Sequence, residues 1–177
     1  MNPPAFHRKI KLFAIFLSIL AIVSVTNTGR TETTDDRIRE EILAAHNKYR
    51  AQLGIPPLKW SETLADHAMN WALHLAQAGK ISHSKKSGEG ENLWQGSAGH
   101  FSHTRKVDYW GSEKKYFKKG TFPDVSTSGN WQDVGHYTQI IWRGTHEVGC
   151  AQATSGGFDF FVCRYHPPGN FIREKVY

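Results

Sequence analysis

The segment from Phe158 to Tyr165 is apolar on both sides of a strand alternation, with Phe161, Cys163 and Tyr165 on one side and Phe160 and Val162 on the other. Successive strand residues point to opposite faces, so such a strand needs cover above and below. Helices packed on both faces of a sheet supply that cover. The expected fold class is therefore α/β, a three-layer α/β/α sandwich around a small, mainly antiparallel central sheet.

Gly156 and Gly157 stand immediately before this segment. A glycine pair suits the positive φ angles of a two-residue hairpin turn, so His146 to Ala153 is expected to pair with Phe158 to Tyr165. Ser155 then faces Phe158, Gln152 faces Phe161, and Cys150 falls opposite Cys163. At a non-hydrogen-bonded position the Cα atoms of such a pair lie about 4.5 Å apart, within reach of a disulfide. These are the only two cysteines in the chain. Closing this loop would stabilise the fold by about 3 kcal/mol in the chain-entropy model.

A disulfide implies an oxidising compartment, and the N-terminus carries a matching address. His7, Arg8, Lys9 and Lys11 precede the apolar run Leu12 to Val25, followed by small and polar residues from Thr26 to Gly29. That is the three-part form of a secretory signal, too short to span a bilayer comfortably. The expected organisation is a signal peptide over 1–28, a connector over 29–36 and one domain over 37–177. Removing Arg8, Lys9 and Lys11 with the leader takes the formal charge from +6 to +3. A mildly basic domain without a nucleic-acid motif excludes nucleic acid as a partner class; basic residues between Lys80 and Lys119 leave contact with an anionic membrane surface open. A secreted monomer is expected, periplasmic in a Gram-negative cell.

Ile38, Ile42, Ala45, Tyr49 and Leu53 recur at helical spacing behind Asp35 or Asp36 as cap, and Gly54, Pro56 and Pro57 end that helix. His46 and Arg50 lie one turn apart on it and read as hydrogen-bonded ties to neighbouring elements. A second helix runs from the N-cap Ser61 to the stop Gly79, with Leu64, Ala65, Ala68, Trp71, Ala72, Leu75 and Ala76 on its packed side. His67 and His74 read as surface or packing residues. Periodicity is lost from Ile81 to His103, a long polar loop of the kind that is often functional. Within it, Gly90-Glu91-Asn92-Leu93 suggests a carboxylate fixed by a tight turn, with Glu89 as its rival. A third helix is expected from Thr104 to Phe117. It carries Glu113 three residues after Trp110, hence on the inward edge, where a carboxylate needs a partner. His136 to Trp142 reads as a short helix before the hairpin.

Four segments, His46-Asn47-Lys48-Tyr49-Arg50, Gly90-Glu91-Asn92-Leu93, Gly135 to Trp142, and Phe161 to Phe171, together resemble the CAP or SCP superfamily. It includes the cysteine-rich secretory proteins, venom antigen 5 and the plant class 1 pathogenesis-related proteins. The resemblance spans nearly the whole mature chain and implies the same α/β/α sandwich. It also implies a central cavity lined by two histidines and two glutamates, which correspond here to His83, Glu91, Glu113 and His136. Such a set suits Zn²⁺ or another divalent metal with a position left for water, and suits equally a metal-free polar network. The resemblance implies a binding module for a sterol-like or fatty-acid-like ligand; the aromatic residues Trp94 and Phe101 in an otherwise polar, glycine-bearing loop make the loop Trp94 to His103 its candidate lid. Two alternatives stay open: a metal-dependent hydrolase in which Glu91 or Glu113 activates water, and a defence or virulence protein acting through its loops. No cysteine follows Cys163, so the activity of a cysteine-rich C-terminal module is not expected, and the last residues are expected to form a structural strap.

Overall fold

Apart from Met1, the computed structural model describes residues 33–85 and 88–177. The remainder of the expected leader, and residues 29–32 of the expected connector, lie outside the described residues. In chain order the elements are α1 (Thr34–Ala51), β1 (Lys59–Trp60), α2 (Glu62–Ala78), β2 (Gly90–Ser97), α3 (His103–Gly111), α4 (Gly135–Ile140), β3 (Glu147–Ser155) and β4 (Phe158–His166). Short 3₁₀ turns cover Ser112–Tyr116 and Trp131–Val134.

The sheet order is β1-β3-β4-β2, with β1 parallel to β3 and the other pairs antiparallel. The apolar strand β4 is thus interior. Phe161, Cys163 and Tyr165 join a core with Ile42 and Tyr49 of α1, Trp110 of α3 and Ile140 of α4. Phe160 and Val162 pack on the other face against Ala68, Ala72 and Leu75 of α2. These are the three layers of an α/β/α sandwich. No described helix is long and apolar enough to cross a membrane.

The hairpin has the register expected from its turn: Ser155 faces Phe158, Gln152 faces Phe161 and Cys150 faces Cys163. The two cysteines form a disulfide with Cα atoms 4.1 Å apart. Helix α2 starts at Ser61, whose side chain accepts from the Leu64 amide, and ends at Gly79 with φ 66°. Its alanine face lets β3 approach closely: a Cβ on Gly149 would fall 2.2 Å from the Ala65 amide nitrogen.

Four expectations change. Helix α1 is capped by Thr33, not Asp35 or Asp36; Asp36 returns a hydrogen bond from the third helical position, a reciprocal capping box. The last three residues of the expected connector are therefore helical. The third helix stops at Gly111 and tightens into a 3₁₀ turn; at Gly111 a Cβ would lie 2.1 Å from Tyr49 Cζ, so α1 and α3 touch there. Gly90 to Ser97 is a strand, not part of a polar loop. β4 templates it by pairing with all eight of its residues, and the ladder outweighs two glycines and a lack of β-branched side chains. The carboxylate of Glu91 is consequently set by a strand register instead of a tight turn.

The C-terminal residues act as the expected strap. Arg143 N donates to Val176 O at 2.8 Å, Phe122 N donates to Glu174 O at 2.8 Å, and Val176 is buried.

Candidate functional site

Helix α4 is short, and its N-cap residue Val134 provides no side-chain acceptor. The exposed amides at its start are met from another element, because Glu113 on the 3₁₀ turn accepts from both His136 N and Tyr137 N at 3.0 Å. The other oxygen of the same carboxylate accepts from His136 Nδ1 at 2.6 Å. One glutamate therefore orients the imidazole and anchors the helix that carries it.

A second pair has the same form. His83, in the segment after α2, donates Nδ1 to Glu91 Oε1 at 2.5 Å, and the Ser84 amide donates to the same oxygen at 3.0 Å. Glu91 Oε2 lies 2.9 Å from Arg164 Nη2, an ion pair without hydrogen-bond alignment. Burial raises the Glu91 pKa, but the His83 hydrogen bond, the Arg164 charge and the Ser84 amide outweigh it and hold the carboxyl below its usual range. His83, Glu91 and His136 line one cavity of about 500 Å³, together with Asn92, Trp131 and Asn170.

The four expected cavity residues are thus brought together as two His–Glu pairs. Alternation along β2 puts Glu91 on the face of Leu93, towards α2, whereas Asn92 and Trp94 face the α1 side. Asn92 Nδ2 donates to the His136 carbonyl at 3.1 Å, so the His136 pair belongs to that second side. This division explains why no three of the four residues bring ligand atoms within 4.8 Å of one another. Among the described residues one His/Cys trio does so, His46 with Cys150 and Cys163. It is no metal site, because its sulfurs are oxidised to the disulfide and both His46 nitrogens are occupied.

Each pair nevertheless has the chemistry of a metal-ligating histidine. With Nδ1 on a carboxylate, the imidazole is held in one tautomer and Nε2 is the ligating nitrogen. No protein partner occupies Nε2 of His83 or His136 among the described residues. A metal held there through the two Nε2 atoms would supply a polarising charge to water or ligand in the cavity.

Behind the site, His46 Nδ1 donates to Ile42 O at 2.8 Å and Nε2 accepts from Tyr165 Oη at 2.9 Å. Tyr165 in turn accepts from Asn92 Nδ2 at 3.1 Å. Burial drives the His46 pKa down to about 4, helped by the Arg50 charge and opposed by the Ile42 carbonyl. Arg50 donates to the carbonyls of Pro56, Ile140, Trp142 and Thr145. Both residues are the interelement ties expected of them.

The expected lid, a loop from Trp94 to His103, is not a loop at its start. Trp94 is a largely buried residue of β2, and the loop proper, 98–102, is pinned by Ala98 N to Gly157 O at 2.9 Å and Gly99 N to Asp159 Oδ2 at 3.1 Å. Trp94 and Phe101 pack edge to face at 5.2 Å and form a wall of an open groove of about 950 Å³, with Leu93, Tyr109 and Phe158. Arg164 and Asn92 were not singled out from the sequence as site residues. Their signal, a charged or amide group on an otherwise apolar strand, becomes readable only once β2 pairs with β4 and aligns Glu91 with Arg164.

Residues 43–165 match the family model described as cysteine-rich secretory protein family, CAP. The chain is 34% identical to pathogenesis-related protein 1A of Nicotiana tabacum over 93% of its own length and 94% of that protein's. It is 35% identical to pathogenesis-related protein 1 of Arabidopsis thaliana, over 96% of this chain and 99% of that one. Among solved structures, BmVAL-1 superposes with a TM-score of 0.67 at 28% identity, covering 85% of each chain. NaASP2, crystallised with Zn²⁺, superposes with a TM-score of 0.69 at 22% identity, covering 80% of this chain and 85% of that one. The sandwich, the disulfide hairpin and these matches lead to one conclusion: the chain belongs to the cysteine-rich secretory protein (CAP) family.

Proposed function

We propose that this CAP domain is an exported, non-catalytic binding module whose cavity takes up a divalent metal such as Zn²⁺ through Nε2 of His83 and His136. The observation that carries this reading is the duplicated arrangement in which each histidine gives Nδ1 to a glutamate and turns Nε2 to no protein partner. Carboxylate-backed imidazoles of this kind have a fixed tautomer and orientation. The reading as an exported module draws on the disulfide and on the expected leader over 1–28.

Calorimetric titration of Zn²⁺ into the metal-stripped domain tests it, beside His83→Ala and His136→Ala. Micromolar or tighter binding that both substitutions weaken supports the site. Absence of binding in the parent protein leaves the two pairs as a structural network and overturns the reading.

The groove walled by Trp94 and Phe101 favours a second capacity, uptake of an amphiphile such as a sterol or fatty acid. Its walls are mainly apolar, and Arg105 sits over the Phe101 ring at 5.6 Å, available to an acidic headgroup. Binding of a labelled sterol or fatty acid that Phe101→Ala leaves unchanged would remove the groove from the account. A hydrolase is disfavoured, because a general base needs a carboxylate free to reach the attacking water, and both candidates are already engaged: Glu91 by His83, the Ser84 amide and Arg164, and Glu113 by two amides and an imidazole. The names of the plant relatives suit a role in defence.

A further inference from the structure

A third cavity, of about 350 Å³, lies between α2 and the segment after it. His67, Asn70, Trp71 and His74 of α2 form one wall; Ser84, Lys85 and Arg164 complete it. Among the described residues each lining side chain is neutral or basic; Glu89 and Glu91 contact the lining residues His67 and Arg164 without lining the cavity themselves.

Arg164 makes this cavity unusual. Its side chain is 2% exposed, yet Nη1 has no hydrogen-bond partner among the described residues. Nη2 contacts Glu91, and Nε lies 3.9 Å from Glu89 Oε2, too far for a hydrogen bond. A buried guanidinium nitrogen without an acceptor is rare, because it has lost water and gained nothing in return. Ser84 Oγ, in the same wall, is also buried without a partner. The neighbouring carboxylates Glu89 and Glu91 are already engaged by His67 and His83 at 2.7 and 2.5 Å. The remaining wall is ordered: Trp71 stacks on His74 at 4.5 Å and donates Nε1 to Ser82 O at 3.0 Å.

We propose that this cavity binds an oxyanion of the phosphate or sulfate class, to which Arg164 Nη1 and Ser84 Oγ donate from within and Lys85 and His74 donate from the rim. A planar guanidinium with an unused edge beside a hydroxyl and an ammonium presents the donors that such oxygens require. The site shares no lining residue with the His–Glu cavity and takes a ligand of opposite charge. It does not depend on that cavity's holding a metal.

The test is titration of inorganic phosphate, and separately sulfate, into the intact domain at low chloride, followed by NMR amide shifts. Saturable shifts centred on Ser84, Lys85 and His74 are expected, with affinity weakened about tenfold or more in Lys85→Glu and in His74→Gln. Both positions are outside the core, so folding is preserved for the comparison. Arg164→Lys, checked for folding by thermal melt, keeps the charge, loses the fork and should also weaken binding. Absence of saturable shifts, or shifts that Lys85→Glu and His74→Gln leave unaltered, overturns the proposal. Co-sedimentation with vesicles of phosphatidic acid against phosphatidylcholine separates the sources. Binding that the same two substitutions abolish identifies a lipid phosphate, and binding of inorganic phosphate without vesicle capture identifies a free anion.

Discussion

The Trp110 indole lies nearly parallel to the His136 imidazole, with ring centroids 6.0 Å apart and planes 15° from each other. The same indole stacks with Phe161 of β4 at 5.5 Å and donates Nε1 to the Leu93 carbonyl of β2 at 3.0 Å. One buried side chain thereby ties the sheet to the histidine of the candidate site. Trp110→Phe removes the donor and part of the stacked area. It should lower unfolding free energy by about 1–3 kcal/mol, because Leu93 O is left without its partner. Denaturant midpoints would show it; an unchanged midpoint would mean that water replaces the indole at no cost.

Glu113 has two duties, and substitution separates them. Glu113→Gln keeps an oxygen for the α4 amides but loses the charge that polarises His136. Stability should fall by about 1–2 kcal/mol, whereas Zn²⁺ affinity should fall about 10–100-fold, the usual effect of losing a carboxylate behind a ligating histidine. Equal metal affinity in the variant would detach Glu113 from the site.

His46 makes the fold sensitive to acid. Its folded pKa is about 4 against 6.5 in the unfolded chain, so the unfolded state binds the extra proton between those values. Its contribution is constant above pH 6.5, and stability is lost as pH falls from 6.5 towards 4, by roughly 3 kcal/mol in all. Glu91, with its lowered pKa, adds a loss of the same sign further into the carboxylate range. In His46→Gln the slope of unfolding free energy between pH 6.5 and 4.5 should flatten. Equal slopes would rule out His46 as the source.

Arg50 is buried, and among the described residues its hydrogen bonds go to four backbone carbonyls and to no carboxylate. Burial lowers its pKa to about 10, with Arg143 adding to the effect, so it stays charged at neutral pH. Lysine cannot reproduce the planar fork that reaches Ile140, Trp142 and Thr145 together. Arg50→Lys should cost about 3 kcal/mol or more, by analogy with removing a partner from other buried charges. Thermal unfolding at neutral pH would detect it, and a loss below about 1 kcal/mol would argue for an adaptable loop between α4 and β3.

Much of this architecture was determined by the sequence alone, wherever a local rule sufficed. The glycine pair at Gly156 and Gly157 sets the hairpin register, which brings Cys150 opposite Cys163. The two-sided apolar pattern of β4 calls for helices on both faces, and Ser61 and Gly79 bound α2. Other features were decided by tertiary structure. Gly90 to Ser97 has little strand propensity and becomes a strand because an already paired β4 offers its other edge. Glu89 and Glu91 are indistinguishable as rivals in sequence, yet one meets His67 and the other His83, with Arg164 between them. Turn chemistry and side-chain periodicity act between neighbours in the chain. The pairing of charges depends on which distant segments share a face and how much water is excluded there, and only the folded chain specifies that.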